Sequence, residues 1–260
     1  MEEILSIAKN IVIEAGKILL QYFYEEKDIK LKSISNLVTK ADRLSEEKII
    51  ELINKNFPDH SILSEEKGYI KRNTIYHWII DPLDGTTNYA HNNPYFSVSI
   101  ALKKENDIIL GIIYDPVRKE LFSAMKGKGA FLNEEKIRVS KVKYIRDSLL
   151  AFGLPYELTM DEKNFISFIN LSRKSHGVRR IGSAALELAY VSCGRLDGYW
   201  CKKLNPWDFS AGIIIIEEAG GKVTDFDNKT IPFKESSIVA SNSLIHDELL
   251  ETLKLGLTSI

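Results

Sequence analysis

Trp78-Ile79-Ile80-Asp81-Pro82-Leu83-Asp84-Gly85-Thr86-Thr87-Asn88 is the stretch from which the rest of the chain can be read. An apolar run bounded by turn residues reads as a buried strand, and here it delivers two carboxylates, Asp81 and Asp84, at its end. Two acids at the mouth of a buried strand are not both ionised and desolvated unless a positive charge sits between them. Oxygen donors of this kind suit a hard divalent cation, and Mg²⁺, which shares its shell with phosphate, is the expected occupant. Pro82 stiffens the turn and Gly85 lets backbone approach a ligand closely. Thr86-Thr87 open a helical turn whose free N–H groups could meet phosphate oxygens. A plain turn with Asp and Thr acting as helix caps is the competing account of the same residues.

Working outward, the N-terminal side begins with Ile4, Ala8, Ile11, Ala15, Ile18 and Tyr22, whose spacing predicts one face of an amphipathic helix. A second helix is predicted over 45–56, ended by Asn56-Phe57-Pro58-Asp59. Short strands are expected over 61–63, 78–80, 97–102, 108–114 and 120–124, separated by turn residues. Beyond them the rhythm changes to helices over 163–175, 183–192, 208–219 and 244–254, alternating with strands near Leu149, Leu196, Lys222 and Ile238. The pattern reads as an α/β (α+β layered) protein. No linker-like or repetitive tract divides it, so 1–260 is expected to form one unit with subdomains 1–145 and 146–260.

Composition narrows the partners. With 260 residues, 44% of them apolar, the chain can bury a large core. Its 35 Lys and Arg against 36 Asp and Glu create no basic field, so a nucleic-acid polymer is not expected as a partner. Two cysteines, Cys193 and Cys201, make neither a disulfide scaffold nor a zinc site and fit a reducing cytoplasm. Met1-Glu2-Glu3 leads directly into the first helix without a signal-peptide pattern, and no apolar run is long enough for a membrane span.

Further acids and glycines stand at comparable places. Ser64-Glu65-Glu66 follows a short apolar strand, and Glu65 is a candidate third oxygen donor. Pro206-Trp207-Asp208 opens an apolar helix that stops at Gly220-Gly221, so Asp208 is either an N-cap or a ligand at the helix mouth. Asp42 precedes the second helix in a capping position. Gly182-Ser183-Ala184-Ala185, after Arg179-Arg180, is either a Ser-capped helix start or an anion site.

Together these segments, with Asn36-Leu37-Val38-Thr39-Lys40-Ala41-Asp42 and Lys126-Gly127-Lys128-Gly129-Ala130-Phe131, resemble the inositol monophosphatase family in order and spacing across nearly the whole chain. The resemblance implies alternating α-β-α-β-α layers in a sugar-phosphatase-like fold, a homodimer and inhibition by lithium. It implies that Glu65, Asp81, the carbonyl of Leu83, Asp84 and Asp208 hold two or three Mg²⁺ ions. Glu65, Thr86 and Asp42 are the implied catalytic group, Thr86 being oriented by Asp42, and together they activate a water that attacks phosphorus in line. Substrate contacts are implied for Asp84, Gly85, Thr86, Gly182, Ser183, Ala184, Cys201 and Asp208. The reaction so implied is hydrolysis of a small phosphomonoester: an inositol monophosphate, a sugar phosphate or bisphosphate, or a nucleotide phosphate.

One position departs from the family. A Glu that contacts inositol hydroxyls stands seven residues before the Trp-Asp aspartate in inositol phosphatases, and here that place is Cys201, followed by Lys202 and Lys203. A thiol is a poor acceptor for a polyol, whereas lysines at a pocket mouth favour a leaving group with a second anionic group. Two rival readings compete with this one. An aspartyl-nucleophile phosphatase of the haloacid-dehalogenase type needs acids two apart, and Asp81 and Asp84 are three apart. A non-catalytic metal-binding module would be expected to have lost ligands, and all are present.

Overall fold

The computed structural model describes residues 1–25, 29–31, 37–154 and 162–255; Asn36, quoted above, lies outside them. Helix α1 (Glu2–Phe23) buries Ala8, Ile11, Val12, Ala15, Leu19 and Phe23, a stripe with the expected three-to-four-residue spacing. A two-stranded antiparallel ribbon, β1 (Ile29–Leu31) and β2 (Leu37–Thr39), leads into α2 (Lys40–Asn56). This helix starts five residues earlier than the apolar pattern alone predicts. Thr39 accepts hydrogen bonds from the N–H groups of Ala41 and Asp42, and the Asp42 carboxylate accepts from Thr39 N at 2.8 Å, closing a capping box.

The first large sheet contains β3 (Ser61–Ser64), β4 (Gly68–Ile70), β5 (Tyr76–Asp84), then, after the short helix α3 (Thr86–Ala90), β6 (Ser97–Lys104), β7 (Asp107–Asp115), β8 (Glu120–Met125), β9 (Gly129–Leu132) and β10 (Glu135–Ile137). Its order is β10-β9-β8-β7-β6-β5-β3-β4, antiparallel except for the β3–β5 pair. The second half supplies β11 (Leu149–Phe152), α4 (Glu162–Lys174), β12 (Gly177–Arg179), α5 (Ala184–Ser192), β13 (Gly198–Leu204), α6 (Pro206–Glu218), β14 (Lys222–Thr224), β15 (Ser236–Ser241) and α7 (His246–Lys254). Its sheet runs β12-β11-β13-β15-β14, with parallel pairs on both sides of β11.

Alternation along the strands assigns the layers. On β5, Trp78 and Ile80 pack with α1 and α2, while Ile79 faces the other way, into a cluster with α5 and α6. Ala101, Ile113, Phe122 and Ala124 join Ile79, and the same cluster takes Tyr199, Cys201, Ile238 and Ala240 from the second sheet. Trp200 and Val239 point to the far face, where they meet Leu249, Leu250 and Leu253 of α7. The order is therefore α1/α2, eight-stranded sheet, α5/α6, five-stranded sheet, α4/α7, the alternating layers expected. Helix α6 explains its own sequence. The run Ile213-Ile214-Ile215-Ile216 is strand-like by propensity, yet Asn205, Pro206 and Asp208 set a helix start, and a helix between two sheets must be apolar nearly all round. Gly212 lets it touch α5, since a Cβ there would stand 2.6 Å from Leu188 Cβ.

In the last layer His246 is fully buried, with Nε2 2.9 Å from Thr224 Oγ1 and Nδ1 2.9 Å from Ser241 Oγ. Burial, helped by Lys222, pushes its pKa from 6.5 down to about 4. The unfolded chain takes up a proton between these values that the folded one refuses, so stability present above pH 6.5 is lost as pH falls toward 4. That loss is expected to be about 2 kcal/mol between pH 7 and pH 5. Urea unfolding at both pH values checks it: His246→Gln should flatten the dependence by that amount, and an unchanged slope refutes the assignment.

Candidate active site

Strand β5 carries the site because its ladder breaks there. It pairs regularly with β6 up to Asp81 opposite Ser99, then the register shifts and Asp84 falls opposite Ser97. Pro82 has no N–H to give the ladder, and Asp81 Oδ1 accepts instead from Leu83 N at 3.0 Å. At Gly85 the backbone turns with φ +93°, a left-handed conformation, and a Cβ would stand 2.8 Å from the carbonyl oxygen of Tyr95. Thr86 follows as the first residue of α3.

Asp208, in the first turn of α6, comes to the same point from the middle layer. Carboxylate oxygens of Asp81, Asp84 and Asp208 all lie within 4.8 Å of one another. Asp81 is 1% exposed and Asp84 8%. Burial raises the pKa of Asp81 well above the ordinary carboxylate range, and the charges of Glu65, Asp84 and Asp208 raise it further. Asp208 is raised by burial and then by Glu65 and Asp84. Glu65, just after β3, is therefore an electrostatic neighbour of the triad without belonging to the 4.8 Å group. Among the described residues, no ion pair offsets the three aspartates.

Both readings of Asp208 hold at once. Its Oδ2 accepts from Asn205 N at 2.7 Å in a capping box, and its carboxylate still belongs to the acidic group. Asp84 is more strongly held. Its Oδ2 accepts from Ser183 Oγ and, at 2.9 Å, from Ala185 N; its Oδ1 accepts from Ala184 N at 3.2 Å. Ser97 Oγ adds a bond at 3.4 Å, and with burial opposing these donors the pKa stands at about 6. The N-terminus of α5 is thus an anion site, as its sequence allows, and the anion it binds is Asp84. Ser183 and Ala184 meet the site through that carboxylate. Gly182, at φ +84°, lies against Asn88, whose Nδ2 donates to the carbonyls of Ile181 and Tyr95 at 2.8 Å each.

Thr86 Oγ1 has one proton and two acceptors in reach, Leu83 O at 3.0 Å and Asp42 Oδ1 at 3.2 Å. Asp42 Oδ2 also receives Thr39 Oγ1 at 2.5 Å. Burial raises Asp42 to about 6 against these bonds. Cys201 is 1% exposed and packs in the middle core beside Tyr199; burial pushes its thiol up to about 12, with the charge of Asp208 adding to the rise. Of the two following lysines, Lys203 pairs with Glu235 at 3.3 Å. Sequence reasoning did not single out Ser45, whose Oγ donates to Pro82 O at 2.8 Å, or the buried Glu46. Their signal was available in the spacing, since both share a helix face with Asp42.

The donor set is all oxygen, acidic, buried at Asp81 and Asp84 and half-buried at Asp208, and without a protein cation, which fits a hard divalent metal. Fold and centre define a phosphatase of the divalent-metal-dependent class that hydrolyses phosphomonoesters. Residues 1–256 match the inositol monophosphatase family, and the chain belongs to that family. It is 43% identical over 253 residues to the inositol-1-monophosphatase of Synechocystis sp., covering 96% of this chain and 88% of that one. It is 40% identical over 259 residues to the Nus factor SuhB of Haemophilus influenzae, covering 98% and 97%. The crystal structure of the extragenic suppressor protein suhB from Bartonella henselae superposes with a TM-score of 0.95 at 38% identity, covering 98% of this chain and 99% of that one. Family membership supports a phosphatase and argues against the aspartyl-nucleophile alternative. Among the described residues no helix is long and apolar enough to cross a membrane.

Proposed function

We propose that the protein is a Mg²⁺-dependent phosphatase acting on inositol monophosphate or a related small sugar or nucleotide phosphate. The observation that carries the reading is the group formed by the buried Asp81 and Asp84 and the half-buried Asp208, mutually within 4.8 Å. These three, with Glu65 and the Leu83 carbonyl, would hold the metal, and one oxygen of Asp208 is already committed to its helix cap. When bound, the metal supplies positive charge that neutralises the phosphoryl oxygens and eases deprotonation of the attacking water.

The chain's own part follows from its hydrogen bonds. Asp42 Oδ1 takes the Thr86 hydroxyl proton in a hydrogen bond, which turns a Thr86 lone pair toward an incoming water. Glu65 provides a second acceptor for that water's protons. As the water oxygen bonds to phosphorus and the ester P–O bond breaks, one water proton is left with this acceptor group; the leaving alkoxide is protonated from solvent. Gly85 and the N–H groups that follow it cradle the phosphate. Asp84, fixed by α5, keeps its place throughout.

With Cys201 buried in the core, its position offers no acidic partner for a leaving group's hydroxyls, which supports a leaving group that needs none. Lys203 is shared with Glu235, so only part of the positive charge inferred there is available to a second anion. Measuring kcat/KM on inositol 1-phosphate, fructose 1,6-bisphosphate and adenosine 3′,5′-bisphosphate, each with a magnesium titration, tests the proposal. Magnesium-dependent turnover of at least one is expected, with no lead for inositol phosphate; a clear lead for it refutes the preference for a leaving group with a second anionic group, and silence on all three refutes the activity. Homodimerisation, lithium inhibition and a cytoplasmic location extend the same reading from family likeness, and light scattering and a lithium titration check the first two. The middle core draws on both halves, 1–145 and 146–260, which supports one cooperative unit.

A further inference from the structure

One face of α2 carries Asp42, Ser45 and Glu46, all buried. The first bonds Thr86 and the second bonds Pro82 O. The third has no place in the ligand set. Glu46 is 1% exposed, and its Oε1 receives three donors from the segment after β3: Ser64 Oγ at 2.5 Å, Lys67 N at 2.9 Å and Glu66 N at 3.2 Å. Glu65 itself is tied by its backbone N–H to Ile80 O at 3.3 Å. The residues on both sides of Glu65 therefore hang on one buried carboxylate oxygen, on the same rigid helix that orients Thr86 and the end of β5.

We propose that Glu46 is a positioning residue that holds the 64–67 loop so that the Glu65 carboxylate faces Asp81 and Asp208. The inference rests on the role proposed above for Glu65. A carboxylate suits the task because three donors converge on a single oxygen, and a charged acceptor binds them more strongly than a neutral one. Helix α2 thus sets three parts of the site in mutual register, with Asp42, Ser45 and Glu46 each gripping one.

A double-mutant cycle tests this, reading both turnover and Mn²⁺ binding by calorimetry. Glu46→Ala is expected to lower kcat by about 10- to 100-fold and weaken Mn²⁺ binding, with KM for the phosphomonoester nearly unchanged. Glu46→Gln, which keeps an acceptor oxygen, should recover most of the loss. In a Glu65→Ala background, adding Glu46→Ala should change neither readout, because Glu46 acts through Glu65. Equal losses in both backgrounds, or a Glu46→Ala protein that behaves as wild type, overturn the proposal. If Glu46→Ala does not fold, Glu46→Asp, which keeps the charge but falls short of the loop, carries the same cycle. A Glu65→Ala protein with normal turnover and metal binding would instead overturn the site assignment itself, a failure this design separates from that of Glu46.

Discussion

Asp81→Asn is expected to lose turnover on the order of 10³-fold and, at the same time, to make the metal-free protein more stable than wild type. Both effects have one cause. Asp81 is 1% exposed, its nearest charged neighbours are the acids Glu65, Asp84 and Asp208, and each pushes its pKa up. Without a cation the folded state carries that repulsion, or the cost of protonating against it, and asparagine removes either. One oxygen suffices for the bond from Leu83 N, so the turn survives the change. A gain of about 1–2 kcal/mol would raise Tm by a few degrees in a chain of this size. Adding Mg²⁺ should stabilise wild type by mass action and leave the variant almost unmoved. Thermal unfolding with and without Mg²⁺, beside kinetics, provides the check: normal turnover in the variant, or equal stabilisation by Mg²⁺, would falsify the assignment.

Thr86→Ala should show the opposite division. Thr86 is bonded to Asp42 and to the Leu83 carbonyl and contributes no carboxylate to the acidic group, so its loss should leave metal binding largely intact. Removing the hydroxyl takes away the group placed to receive a water proton, worth about 10²- to 10⁴-fold in kcat. Thr86→Ser keeps the oxygen and should retain much of the rate. Single-turnover kinetics at saturating Mg²⁺, with the Mg²⁺ affinity measured by calorimetry, separates the two contributions. A fall in affinity matching the fall in rate would mean that Thr86 supports the metal site and does not handle the proton.

Much of this centre is legible along the chain because its ligands sit where local structure changes type. Asp81 and Asp84 mark the end of a strand, Glu65 the end of another, and Asp208 and Asp42 the first turns of helices. Such boundaries leave marks in sequence: a proline that interrupts a ladder, a glycine that turns left-handed, a cap. The interior of α6 left a contrary mark, four isoleucines that favour a strand by themselves, and its capped start and the Gly220-Gly221 stop are what point to a helix. Short edge strands such as β4, β10 and β12 left almost none, since three residues do not establish a period.

The Asp-Pro-Leu-Asp-Gly-Thr stretch by itself determined that two acids meet at the end of a buried strand and that oxygen ligands want a hard cation there, and taken together with the other segments it pointed to the family. Tertiary structure alone decided what each partner does for those acids. It brought Asp208 within 4.8 Å of them across more than a hundred residues, spent the N-terminus of α5 on Asp84, and buried Cys201 in the core. It also placed Glu46 beneath the Glu65 loop. The physical reason is range. Strand ends, turns and caps are set by interactions between neighbours in sequence, whereas the compensation of buried charge and the satisfaction of buried donors depend on whichever groups packing brings together.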